Sequence, residues 1–267
     1  MPKVSVVMGV YNGEKYLSEA IESILNQTFM DFEFIICDDG SSDRSAQIIE
    51  NYAKRDKRIL FLKNNVNTGL AATLNRCIEI SKGEYIARMD CDDLSIKDRF
   101  EKQVQYLDHH KEIDIVGGAV YLFDEKGIYG LRRNKSKFNK VEVFKRSFFI
   151  HPTVMMRKNM FLSVNGYTVS KQTYRTEDYD LWCKICYYGF RGTNIDDVLL
   201  YYREDRNAYR RRKFRYCIDE MYIRYKWYKE LEIPKYYFPY IIKPLVAGLI
   251  PKRMMEKYHR HKYKIKC

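Results

Sequence analysis

The sequence predicts an α/β fold: a mostly parallel central sheet flanked by helices, followed by a helical, basic C-terminal extension. Three observations carry this. Short β-branched and apolar runs alternate with segments of helical spacing through the first 94 residues, and that alternation builds parallel sheets covered on both faces. Loops rich in Asp, Asn and Gly follow three of the apolar runs at their carboxyl ends, where open α/β sheets hold ligands. The charge is unevenly placed. The 267 residues carry a formal net charge of +13, yet residues 206–267 alone hold 18 Lys+Arg against 5 Asp+Glu, so 1–205 is neutral. The break separates a domain over 1–205, with halves at 1–94 and 95–205, from a basic, aromatic region over 206–267.

Each element follows from its local pattern. Residues 3–9 are β-branched and apolar, a buried strand. Residues 13–27 have helical spacing, with Tyr16, Leu17, Ala20, Ile21, Ile24 and Leu25 on one face. A second strand is predicted over 32–37. Ser42 or Asp43 can cap a helix running to about residue 54. A short strand over 59–62, a helix over 70–81 and a strand over 84–89 complete the alternation. A helix over 98–109 and a strand over 113–116 follow. Asp124-Glu125-Lys126-Gly127 reads as a hairpin turn. A strand over 154–156, a helix over 179–188 opened by acidic residues and a strand over 198–202 close the domain. In the tail, Pro234, Pro239, Pro244 and Pro251 are expected to break the helices.

Composition narrows the class. With 46% hydrophobic and 15% aromatic residues the chain buries a real core, which excludes global disorder. No secretion signal and no uncharged apolar run of ~18 residues is found, so no membrane span is expected. Seven scattered cysteines without framework spacing read as reduced thiols of a cytoplasmic protein. Cys183 and Cys186 form one CxxC, but no second ligand pair follows, so a zinc site is not expected.

Chemistry concentrates at the strand ends. The first strand runs into Gly9-Val10-Tyr11-Asn12-Gly13, the second into Asp38-Asp39-Gly40-Ser41-Ser42-Asp43, and the fourth into Asp90-Cys91-Asp92-Asp93. In a parallel sheet all three meet on one edge. Asp90 and Asp92 stand two apart in an extended segment and so point the same way. Such a pair can share a divalent cation, and hard oxygen ligands suit Mn2+ or Mg2+. By itself the motif is weak, because aspartates also cap helices. The convergence of several polar clusters is what gives it weight.

These pieces resemble the family 2 glycosyltransferases of the GT-A, Rossmann-like fold, as in bacterial surface-polysaccharide synthesis. The resemblance rests on Val4-Ser5-Val6-Val7 through Tyr11-Asn12, Ile35 to Asp43, Asn67-Thr68-Gly69-Leu70, Gly83 to Asp93, His151-Pro152-Thr153-Val154 and Thr176-Glu177-Asp178, in family order and spacing over about residues 3–203. It implies an inverting enzyme that moves one sugar from a nucleotide-sugar, by family habit a UDP-sugar, to an acceptor hydroxyl. It implies that Val10, Tyr11, Asn12 and Asp39 hold the nucleobase and ribose, that Asn67, Arg88 and Cys91 lie close to the donor, and that Asp90 and Asp92 hold the metal on the diphosphate. Asp178 matches the catalytic base and Glu177 its acidic companion, with His151 on the acceptor side. The chemistry fits: a cation neutralises the departing diphosphate, and a carboxylate takes the proton of the attacking hydroxyl. Two family features are missing. Tyr202-Arg203 is followed by Glu204-Asp205 rather than a histidine, and the processive synthases' Gln-x-x-Arg-Trp motif is absent, which implies one sugar per encounter.

The tail admits two readings. Arg210-Arg211-Arg212-Lys213 is a basic run, and two apolar stretches flank Lys243. An aromatic, apolar face edged by cations suits an anionic bilayer, placing the enzyme peripherally on the inner face of the cell membrane near a saccharide or lipid-linked saccharide acceptor. The same faces could instead pack on the catalytic domain or on a second subunit of a homo-oligomer. A nucleic-acid-binding protein is the competing class, prompted by basic residues interleaved with aromatics. It leaves the aspartate clusters unexplained, since these repel phosphate without a metal, and nucleic acid is not expected as a partner. An inactive scaffold is disfavoured because Asp39, Asp90, Asp92 and Asp178 are all present.

Overall fold

The computed structural model describes residues 1–204 and 214–265. The basic run 210–213, the 205/206 boundary and Cys267 lie outside the described residues. The chain begins with β1 (Val4–Val10), α1 (Leu17–Leu25), β2 (Phe32–Asp38), α2 (Ser45–Arg55), β3 (Ile59–Lys63), α3 (Leu70–Ile80) and β4 (Tyr85–Met89). The short β5 (Leu94–Ser95), α4 (Arg99–His109) and a hairpin of β6 (Ile115–Asp124) and β7 (Gly127–Arg132) follow. Then come α5 (Lys140–Lys145), a 3-10 turn (His151–Thr153), β8 (Met155–Arg157), α6 (Lys158–Ser163), α7 (Glu177–Tyr187) and β9 (Gly192–Arg203). The tail supplies α8 (Phe214–Glu230), α9 (Pro239–Leu249) and α10 (Lys252–Tyr263).

The strands form one sheet in the order β3-β2-β1-β4-β8-β6-β9-β5, with β7 beside β6. The predicted parallel character holds for β3, β2, β1 and β4. Beyond β4 the sheet is mixed: β8 runs antiparallel to β4 and β6, while β6 and β9 are parallel. Strand alternation sorts side chains to two faces. Val7, Ile35 and Ile86 enter one buried cluster with Leu74 of α3 and Trp182 of α7. Val6, Met8, Phe34, Ile36 and Ala87 enter another with Ile21 of α1 and Phe100 of α4. Ile223, Trp227, Leu231, Ile233 and Ile241 of the tail join the first cluster, so part of the tail's apolar surface is packed against the rest of the fold.

Several local readings need correction. Helix α2 starts at Ser45, after an Arg44 cap with no side-chain bond. Asp43 still serves its first turn, accepting from the Ser45 N–H at 2.9 Å. Pro244 does not break its helix; it lies inside α9 on the buried face, where close packing offsets the lost backbone bond. Pro239 and Pro251 do mark helix starts. Strand β9 is far longer than the apolar stretch 198–202, because its polar half is held in register by β6. Helices α5 and α6, each six residues, were not foreseen, although Asn139 caps α5 by accepting from the Val141 and Glu142 N–H groups.

Candidate active site

The register sets the site. Val10 lies beside Asp38, and Met8 beside Met89, so the loops after β1, β2 and β4 leave the sheet on the same edge. The first two are tied together. The Asp39 N–H donates to the Val10 carbonyl at 2.7 Å. Asn12 takes a left-handed φ of 52°, which Asn tolerates better than most residues. Its carboxamide oxygen accepts from the Ser42 N–H at 2.9 Å, and its own N–H donates to Ser41 Oγ at 3.0 Å. Gly40, at φ +72°, stands where a Cβ would meet the Val66 backbone at 2.8 Å, so glycine is required for the loop after β3 to approach.

Asp39 binds that loop. Its Oδ1 accepts from Asn64 Nδ2 (2.7 Å), Thr68 Oγ1 (2.8 Å) and the Thr68 N–H (2.9 Å), and Oδ2 from the Gly69 N–H (2.9 Å). Burial by itself would push the carboxyl up, but these bonds hold it below the usual carboxylate range. The charge also faces the N-terminus of α3, a favourable position for an anion. Asp39 thus shapes the loop after β3, and Oδ2 keeps acceptor capacity.

Between these loops and residues 169–175 lies a cleft of about 290 Å³, lined by Val10, Tyr11, Asp39, Asn67, Asp90, Cys91, Asp92 and Glu177 among others. Tyr11 is 53% exposed at its mouth. A larger depression of about 720 Å³ sits at the opposite ends of β1 and β4. Its charges pair with one another, as in Lys3–Glu84 at 2.7 Å, and it has none of the aspartate clusters.

Arg88 and Asp93 stand behind the cleft. Arg88 is 2% exposed and donates to Asp90 Oδ2 at 2.5 Å. It orients the aspartate rather than facing the cleft. Asp90, Asp92 and Asp93 place carboxylate oxygens within 4.8 Å of one another. Asp93, which sequence reasoning passed over, is 1% exposed, and its Oδ2 has no hydrogen-bond partner among the described residues. Burial first, then the charges of Asp90 and Asp92, push its carboxyl well up. Three crowded carboxylates with one buried oxygen unsatisfied fit a hard divalent cation such as Mn2+ or Mg2+.

Arg203 braces this group. Its N–H donates to Asp93 Oδ1 and its Nε to the Asp92 carbonyl, both at 2.8 Å. Its guanidinium lies 3.9 Å from the Tyr16 ring centroid and 4.4 Å from that of Phe123. The truncated Tyr202-Arg203 motif therefore retains a structural link to the aspartates without the family's histidine.

Glu177 and Asp178 open α7. Glu177 lines the cleft. Burial, and then the Asp178 charge, push its carboxyl up to about 7. Asp178 accepts from Ser147 Oγ at 2.9 Å, and that hydroxyl accepts from the Trp182 indole at 3.1 Å. Burial raises Asp178 while the Ser147 bond opposes the rise. Nothing in the sequence near Ser147 marked it, because its role arises from packing α5 against α7. His151 bonds the Tyr167 hydroxyl at 2.7 Å. Burial, then Arg88, hold its imidazole well below its ordinary value, so it is neutral near pH 7. Of the donor-side and catalytic candidates, the structure brings Val10, Tyr11, Asp39, Asn67, Asp90, Cys91, Asp92 and Glu177 to the cleft; Asn12, Arg88, Asp178 and His151 do not line it.

The comparisons with known proteins give the class to which a chain with this sheet and this cleft belongs. The model of "Glycosyl transferase family 2" matches residues 5–164, and the chain belongs to that family. It is 42% identical over 260 residues to the putative glycosyltransferase EpsE of Bacillus subtilis (strain 168), covering 97% of this chain and 94% of that protein. It is 36% identical over 206 residues to the O-antigen biosynthesis glycosyltransferase WbnJ of Escherichia coli, covering 75% and 79%. The crystal structure of S. aureus TarS 1-349 in complex with UDP-GlcNAc superimposes with a TM-score of 0.68 at 19% identity, covering 92% of this chain and 71% of that one. The fold is that of the GT-A glycosyltransferases, and the protein is an enzyme, a glycosyltransferase.

Two predictions follow from the geometry. Replacing Arg203 with Ala lowers the apparent Mn2+ affinity of the folded protein by about 10- to 100-fold, read by metal titration. Lys at this position rescues poorly, because it lacks the planar group held between the rings; unchanged affinity contradicts the bracing role. For Glu177 the folded value of about 7 lies above the 4.5 of a free glutamate side chain. Between these pH values the native state keeps a proton that the unfolded chain has lost, so stability falls as pH rises through that window. Glu177→Gln removes that loss and stabilises the protein at pH 8 relative to pH 4 by at most about 3 kcal/mol, measured by urea denaturation. An equal effect at both pH values refutes the assignment.

Proposed function

We propose that this glycosyltransferase moves one sugar from a UDP-sugar to an acceptor hydroxyl by metal-assisted single displacement, with inversion at the anomeric carbon. The single observation that carries the donor half is the cleft, where Tyr11, Asp39 and Asn67 face Asp90 and Asp92. In this reading Tyr11 stacks on the base, Asp39 Oδ2 accepts a base N–H and Asp90 meets the ribose. Asp90, Asp92 and the buried Asp93 hold Mn2+ or Mg2+, and a cation there offsets charge on the leaving diphosphate. The UDP carrier is supported by the UDP-GlcNAc bound in the TarS structure, at the level of the shared fold.

Asp178 is the proposed base. Ser147 fixes its carboxylate, and its burial raises its proton affinity, which a base at neutral pH requires. It takes the proton as the acceptor oxygen attacks opposite the leaving group. Glu177, which lines the cleft, is the acidic companion of Asp178 near the acceptor. His151, neutral and tied to Tyr167, lines the acceptor side as a hydrogen-bonding group and not a cation. A bacterial surface polysaccharide is the proposed context, supported by the O-antigen relative. The acceptor is then a saccharide or lipid-linked saccharide, and the enzyme works in the cytoplasm at the inner face of the membrane. Among the described residues no helix is long and apolar enough to cross a membrane.

The test is release of nucleoside diphosphate from a panel of nucleotide-sugars with Mn2+, Mg2+ or chelator. The expected result is metal-dependent release from one donor, lost in Asp92→Ala. Asp178→Asn should retain donor binding and lose transfer by about 10²- to 10⁴-fold. If no nucleotide-sugar is bound or cleaved, the reading fails.

A further inference from the structure

We propose that the outer face of α9, with the chain on either side of it, docks on an anionic lipid bilayer and presents the acceptor side of the cleft to that surface. The proposal deepens the reading of a membrane-side transferase given above and rests on it for its biological meaning.

The face is defined by position and exposure. Phe238, Ile242, Val246 and Leu249 recur at spacings of four, four and three, which places them within one narrow arc of a helix. They are 50%, 46%, 56% and 75% exposed. Tyr236, Ile250 and Met254, also exposed, extend the apolar surface beyond both ends of the helix. The opposite arc is covered: Ile241 and Pro244 are buried, and a Cβ on Gly248 would meet Cys217 and Phe214 of α8 at 2.8 and 3.1 Å. The helix is thus seated on the protein by one side and leaves a large apolar side outward, more than a solvated surface normally carries.

Charge selects the occupant. From residue 233 to residue 255 the sequence contains no Asp or Glu, and Lys235, Lys243, Lys252 and Arg253 fall within it. Apolar anchors among cations with no acid suit lipid tails beneath anionic headgroups. A second copy of this chain suits the face less well. A twofold contact sets a surface against itself, and like cations would then oppose one another.

The placement links docking to the site. Lys145 at the end of α5 lies 4.5 Å from the Tyr237 ring centroid, and Lys243 Nζ reaches the Lys145 carbonyl at 3.5 Å. Two residues on, Ser147 holds Asp178. A bilayer on α9 is therefore close to the proposed base, where a lipid-linked hydroxyl would have to arrive.

The test uses the full chain in sedimentation with vesicles of phosphatidylcholine alone, or of phosphatidylcholine with phosphatidylglycerol. The expected result is binding to the phosphatidylglycerol vesicles at low salt that weakens as salt rises. The double variant Ile242→Glu, Leu249→Glu should partition at least about tenfold less. Both side chains are exposed, so its melting temperature and its nucleotide release should stay at wild-type values. The proposal is overturned if the wild type ignores anionic vesicles at low salt, if the double variant binds as well as the wild type, or if the wild type is a dimer that the variant converts to monomer. Failure of nucleotide release with vesicle binding intact would sink the catalytic reading and leave the docking face standing.

Discussion

The site depends on the central place of β1. Paired in parallel with β2 on one side and β4 on the other, it ends level with β2 and two residues beyond the end of β4. No loop has to travel far to bring Tyr11, Asp39 and Asp90 together. Parallel register fixes the three ends at one edge, and the Asp39 carboxylate then draws in a fourth segment through Asn64, Thr68 and Gly69. One buried carboxylate closes the donor side, which is why its bonds face the protein as much as the cleft.

At the aspartate cluster the logic is reversed. Arg88 supplies positive charge to Asp90, while Arg203 fixes Asp93 through its backbone N–H and the Asp92 carbonyl through Nε, its guanidinium pairing with Glu19 at 2.9 Å. Neither arginine neutralises the buried oxygen of Asp93. A divalent cation held there would meet that oxygen and offset the crowding of the three carboxylates. Glu177 shows the same economy at the acceptor side, since burial beside Asp178 keeps it near its protonation midpoint at neutral pH.

Much of this was legible in the sequence. Alternating strand and helix patterns placed β1 through β4 within a residue or two, and the strand-end clusters named most of the cleft. The family pieces carried Glu177 and Asp178 to the start of α7. What escaped depended on contacts between distant segments. Ser147 has no local signature. Asp93 carries no mark in its run that sets it apart, because its burial comes from the fold. Arg203 looked like a motif that had lost its histidine. Asn12 and Arg88 were expected at the donor and instead hold loops and aspartates in place. The mixed half of the sheet was hidden because β8 is three residues long and β9 is half polar. In the tail, charge and aromatic content indicated a surface region, but only the packing of Trp227 and Ile241 separated its inner face from its outer one.

The central claim is that a cation held by the Asp90–Asp93 cluster completes a nucleoside-diphosphate site at the end of β1. Calorimetric titration of UDP into the protein with Mn2+ and with chelator tests it most directly. The account predicts binding that Mn2+ tightens by at least about tenfold, with that gain lost in Asp92→Ala while the metal-free affinity is unchanged. Equal UDP affinity with and without metal would contradict it.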